Sequence, residues 1–177
     1  MKSVLISIQP KWVELIASGK KTIEVRKTKP KLETPFKCYI YCTQGKLKDL
    51  GIINHNTYIN RMKVVGEFVC DRIDEIGFSP YNHGEYISDI ENLHGVSCVD
   101  FEAMYDYLAD GYGYGWHISD LVIYDNPRDL RDFKPYNRTE DDCKFSHLGL
   151  AIPKCKDCRE CYVKRPYQSW GYVESEE

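Results

Sequence analysis

The apolar positions of the first 42 residues change period three times, and each change predicts an element. Residues 4–8, Val-Leu-Ile-Ser-Ile, are mostly β-branched or aliphatic and end at Gln9-Pro10. Proline donates no ladder hydrogen bond and suits the first turn of a helix, so a strand stops there. From Pro10 to Ser18 the apolar residues Trp12, Val13, Ile16 and Ala17 gather on one helical stripe. Gly19 follows as the left-handed cap. Residues 22–26, Thr-Ile-Glu-Val-Arg, alternate at period two, which sends Ile23 and Val25 to a core and Thr22, Glu24 and Arg26 to the opposite face. A third strand is predicted over residues 36–42. A long fourth covers residues 63–76, with Gly66 as a bulge.

Further along the pattern loosens. Residues 77–97 mix Gly, Pro, Asn, His and Asp without a period and read as an irregular excursion. Residues 99–108 carry Phe101, Met104, Tyr105 and Leu108 at helical spacing. Gly111, Gly113 and Gly115 then interleave with Tyr112, Tyr114 and Trp116, which reads as a mobile aromatic loop leading into His117 and a strand over residues 121–124. A turn and short helix follow at 126–133, a charged cysteine-bearing stretch at 134–165, and a closing strand at 168–173.

Length and composition narrow the class. A chain of 177 residues, 42% hydrophobic and 29% charged, suits a single globular domain over residues 1–177, with residues 134–165 as an insertion within it. The opening apolar run is too short for a signal peptide and no stretch approaches a membrane span, so a cytoplasmic protein without membrane contact is expected. The net charge of -3 excludes nucleic-acid binding by a globally basic surface. A local patch compensates: Lys20, Lys21, Arg26, Lys27, Lys29 and Lys31 fall within twelve residues whose sole acid is Glu24.

Residues 19–26, Gly-Lys-Lys-Thr-Ile-Glu-Val-Arg, resemble the G-x-K-x-x-E-x-R signature of the ASCH domain family, placed after a strand and a helix as in that family. Ser7-Ile8-Gln9-Pro10, Trp116-His117-Ile118-Ser119 and Gln168-Ser169-Trp170 are also similar to segments of phage and bacterial ASCH proteins. The resemblance implies an α+β fold, a PUA-like small mixed β-barrel flanked by helices, with the cysteine-rich insertion before its last strand. It further implies a cleft lined by the signature and a ligand that is RNA or a modified nucleoside. Some relatives are amidohydrolases acting on acylated cytidine-type nucleosides, and ribonuclease activity is attributed to others. The catalytic lysine of the amidohydrolases corresponds to Lys21. Their catalytic threonine stands where this chain has Glu24, a departure from the hydrolytic pattern, and their glutamate is carried over to no position here.

The residues themselves support several chemistries. Lys21 and Arg26 can hold a phosphate or carbonyl oxygen, and Glu24, two residues from Arg26 on one strand face, can orient the guanidinium or accept from a base edge. Lys20, Thr22 and Gln9 complete the expected ligand-binding set, with Tyr114 and Trp116 as stacking partners and His117 as a group that exchanges protons near neutrality. A hydrolase would use Lys21 and Glu24 as its catalytic pair. A third reading is a protein-protein adaptor with an unknown partner, since a basic strand edge and exposed tyrosines serve that role too.

Cys155-x-x-Cys158-x-x-Cys161 offers three thiols at knuckle spacing, with Cys143 as a fourth ligand and His147 as its substitute. A structural zinc is expected there, because the insertion has little apolar content of its own to drive folding. Cys38, Cys42, Cys70 and Cys98 read instead as small buried hydrophobes.

Overall fold

The computed structural model describes residues 1–46, 53–79, 85–109, 111–136 and 162–174. The elements run β1 (Lys2–Ile8), α1 (Pro10–Ala17), β2 (Ile23–Arg26), β3 (Phe36–Cys42), α2 (His55–Ile59), β4 (Lys63–Cys70), β5 (Ile73–Ser79), β6 (Glu85–Ile87), α3 (Leu93–Ser97), α4 (Phe101–Tyr107), β7 (Tyr112–His117), β8 (Ser119–Arg128) and β9 (Trp170–Glu174). A 3-10 turn at Leu130–Asp132 follows β8.

These strands form two open sheets, ordered β8-β4-β3-β1-β9 and β2-β7-β5-β6. The closed β-barrel expected from the resemblance does not form, although the α+β composition holds. Two corners explain it. The predicted strand over 63–76 breaks at Asp71-Arg72, so β4 stays in the five-stranded sheet while β5 enters the other. Ile118 separates β7 from β8 in the same way. Between β2 and β9, where a barrel would have to close, the contacts are made by side chains. The Trp170 indole N–H donates to Thr28 Oγ1 at 3.1 Å, and Arg26 donates to Ser169 Oγ at 3.4 Å. No backbone ladder joins those two strands among the described residues.

The five-stranded sheet is covered on both faces. One face of β1, β3 and β4 packs Val4, Ile6, Ile8, Cys38, Ile40 and Phe68 against Val13 and Ile16 of α1 and Trp116 of β7. The other face sets Leu5, Tyr39 and Tyr41 against Leu130, Phe133 and Val163. The expected bulge is present: Ile40 pairs Gly66 while Tyr41 pairs Val64, leaving Val65 over.

The four-stranded sheet buries Ile23, Val25 and Ile76 against Ile90, Leu93, Met104 and Leu108. Part of the irregular excursion expected at 77–97 is therefore ordered as the end of β5, β6 and α3. The glycine-tyrosine segment is also no loop but a strand inside this sheet, between β2 and β5. Packing dictates its alternation. A Cβ on Gly113 would sit 2.6 Å from Leu108 Cδ2, and one on Gly115 would collide with Ile90 Cδ1, so only hydrogen fits beneath this strand. Tyr112, Tyr114 and Trp116 take the opposite face. Among the described residues, no helix is long and apolar enough to cross a membrane.

Candidate functional site

The signature is delivered by a helix stop and an edge strand. Ser18 caps α1, Gly19 takes φ +73°, and the amides of Gly19 and Lys20 donate to the carbonyls of Ile16 and Leu15 at 2.9 and 3.0 Å. This paired closure reverses the chain within two residues and sends Lys21 back beneath the helix. Thr22 N–H then donates to Val96 O of α3 at 2.9 Å, and β2 begins at Ile23.

Lys21, Glu24 and Arg26 converge. Lys21 Nζ lies 3.3 Å from Glu24 Oε2 and donates to Ser97 O, at the end of α3, at 2.6 Å. Arg26 Nη2 lies 3.0 Å from Glu24 Oε1 and donates to Ser7 O of β1 at 2.7 Å. The three residues are 2%, 5% and 7% exposed, so Lys21 is no solvated turn lysine. Trp12 of α1 presents its ring 5.2 Å from Lys21 Nζ. Arg26 thus ties the four-stranded sheet to β1 of the five-stranded one, across the line where the barrel fails to close.

Charges withdrawn from water to this degree persist only with partners. Here two cations share one carboxylate, which leaves one excess positive charge. Among the described residues, Arg26 Nε also has no hydrogen-bond partner, and Glu24 Oε2 accepts no hydrogen bond beyond its ion contact with Lys21. Tyr107 of α4 stands beside the cluster within hydrogen-bonding reach of Arg26; burial pushes its phenol up, and the guanidinium opposes that rise.

The other expected residues have separate places. Gln9 is the N-cap residue of α1 and binds the helix through its carbonyl, which accepts from Trp12 and Val13. Lys20 and Thr22 are exposed. Tyr114, half-buried, pairs across the ladder with Arg26 and has Lys29 Nζ 4.8 Å from its ring. Trp116 is fully buried between Phe36 and Trp170, which makes it a core residue and not a surface for stacking. His117 is engaged by Asp74 at 2.7 Å and by Arg72 at 3.1 Å. Cys143, His147, Cys155, Cys158 and Cys161 lie outside the described residues. Among the described ones, no group of three or more His, Cys, Asp or Glu is placed to hold a metal ion.

Sequence reasoning passed over Ser97, Tyr107, Ser7 and Ser169 as site residues. Ser7 and Ser169 do lie in two of the segments that carry the resemblance, so a signal was present. Ser97 contributes only a backbone carbonyl, which no residue type announces.

The chain is thus a two-sheet α+β domain with a buried Lys-Glu-Arg cluster at the junction of its sheets. The family model described as the ASCH domain matches residues 6–104, and the chain belongs to that family. Among solved structures, the ASCH protein of Zymomonas mobilis is similar with a TM-score of 0.57 at 17% identity, over 98% of this chain and 88% of that one. A Tyr-to-Phe variant of that protein gives 0.54 at 17% identity over 99% and 92%, and a Ser-to-Ala variant gives 0.54 at 17% over 98% and 89%. At this identity the likeness concerns the fold. No curated protein matches the chain.

Proposed function

We propose that this ASCH domain binds RNA or a modified nucleoside at the surface above the Lys21-Glu24-Arg26 cluster. The observation that supports it is the excess buried positive charge, with Arg26 Nε left without a partner among the described residues. A charge fixed in low dielectric projects its potential outward with little screening, and here it emerges among the exposed Lys20, Lys27, Lys29 and Lys31. Tyr107 and Tyr114 lie beside Lys27 and Lys29, and Trp12 beside Lys21, and these rings offer faces for an unpaired base. The family's association with RNA agrees with this chemistry.

A hydrolase of the nucleoside-amidohydrolase or ribonuclease kind is the second reading, favoured by the desolvation of Lys21 and its 3.3 Å approach to Glu24. Both oxygens of Glu24 face cations, so its role is to hold the lysine and arginine in place. The test is direct. Wild type and Lys21→Met are assayed for binding of labelled single-stranded RNA at low salt and for turnover of an acylated cytidine. Binding without turnover in either protein supports the module; turnover lost in the variant while binding persists supports the enzyme. Failure of the wild type to bind any nucleotide removes the first reading and leaves a protein adaptor. The zinc proposed for Cys143, Cys155, Cys158 and Cys161 is tested by elemental analysis, where one zinc per chain is expected and a folded chain without metal would refute it.

A further inference from the structure

We infer that the ligand is a single-stranded polynucleotide, and that residues 27–31 form the track carrying its backbone away from the signature; this rests on the nucleic-acid reading above. Immediately after Arg26, four residues of this segment, Lys27, Thr28, Lys29 and Lys31, each approach an aromatic side chain from another element. Lys27 Nζ lies 5.5 Å from the Tyr107 ring of α4, and Lys29 Nζ 4.8 Å from the Tyr114 ring of β7. Thr28 accepts from the Trp170 indole of β9, and the Lys31 amide donates to the Tyr172 hydroxyl at 2.7 Å. Lys27, Thr28, Lys29 and Lys31 are all exposed.

This lacing explains why a basic loop of such length is held in one path, and it places cations and rings in alternation. A track of that kind suits single strands: lysines take the phosphates, and rings take bases of any sequence. The lysine stem is flexible, so an ammonium resting over a ring can move to a phosphate and release the ring face. Lys29 also meets Glu75 at 3.4 Å, but both side chains are largely exposed, and such a pair yields readily to a stronger anion. Beside the segment, Lys29, Pro30, Leu32, Glu33, Thr34 and Ile73 line a shallow, mainly polar recess of about 440 Å³. Three exposed lysines along the segment are more than a single phosphate can occupy. A duplex would keep its bases paired and away from these rings.

The experiment compares wild type with the Lys27→Gln/Lys29→Gln/Lys31→Gln variant in anisotropy titrations over a range of salt. The probes are a labelled single-stranded RNA octamer, the same octamer as a duplex, and cytidine 5′-monophosphate as competitor. Loss of three phosphate contacts is expected to flatten the slope of log affinity against log salt by about 2 for the single strand. Cytidine 5′-monophosphate should lose a smaller fraction of its affinity than the octamer, since a single phosphate meets fewer of these three lysines. The duplex should bind more weakly than the single strand. A variant with wild-type octamer affinity and slope would overturn the track while leaving the proposed site standing. Equal or tighter duplex binding would overturn it as well, and so would parallel loss of mononucleotide binding. A wild type that binds none of the probes at low salt would remove both readings together.

Discussion

Replacing Glu24 by Gln isolates the central electrostatic feature, because the amide keeps the shape of the carboxylate and deletes only its charge. Lys21 and Arg26 would then remain as two cations whose side chains are 2% and 8% exposed, at 3.3 and 3.0 Å from a group that no longer neutralises them. Leaving a buried charge uncompensated in this way costs about 3–5 kcal/mol. For a chain of this size each kcal/mol moves Tm by about 2–4 °C, so a fall of roughly 6–20 °C is expected. Urea unfolding followed by circular dichroism measures the free energy directly. Adding Lys21→Met to the same chain removes one orphaned cation and should recover part of the loss, with a coupling energy of about 0.5–3 kcal/mol. A Glu24→Gln protein within about 1 kcal/mol of wild type would refute the assignment of Glu24 as the shared counter-charge.

The remaining predictions concern the frame around the cluster. Gly115→Val, whose added carbons collide with Ile90 and meet Ile23 Cγ2 from 3.1 Å, is expected to cost about 1–3 kcal/mol in urea unfolding. Gly77→Ala, whose methyl meets only Tyr112 at 3.8 Å, should be neutral or stabilising by under about 1 kcal/mol, and the reverse order would contradict the packing described for β7 and β5. Burial pushes the thiols of Cys42 and Cys70 up to about 12 and that of Cys38 upward as well, while Cys98 is half-buried. Alkylation at pH 8 with mass mapping should therefore label Cys98 ahead of those three; early labelling of Cys38 would contradict it. Asp129 is held down to about 2, first by the Arg131 backbone amide and then by Lys63 and the Arg131 side chain against the effect of burial. A depressed carboxyl contributes stability above its unfolded value near 3.8 and loses it as pH falls toward 2, so wild type should shed more stability than Asp129→Asn between those limits. Parallel pH profiles would show that the capping contact contributes nothing.

The parts of the fold that could be read from the chain are those where local chemistry and tertiary packing agree. β1, α1 with its Gly19 stop, β2 and β3 each carry a clean period and a terminating residue, and they form where expected. The strand over 63–76 was misjudged because its apolar period continues across Asp71-Arg72, while the change of sheet there is a tertiary event. The glycine-tyrosine segment misled for the opposite reason. Its glycines look like loop residues until Leu108 and Ile90, distant in sequence, are known to press against them. At the site, three charges at fixed offsets on one strand end were legible together. Their depth was not, because it is set by α1, α3 and the Ser7 and Ser169 segments closing over them. His117 and Trp116 were drawn into the site by proximity to the aromatic run, whereas Asp74 and the inter-sheet core claim them.

Arginine side-chain N–H resonances give the most direct view of the central claim. In a titration of ¹⁵N-labelled protein with a single-stranded RNA octamer at low salt, the Arg26 Nε–H signal and the amides of β2 should shift together and saturate with the anisotropy curve. Arg26 and β2 signals that stay fixed at saturating RNA, or a chain that binds no RNA at all, would contradict it.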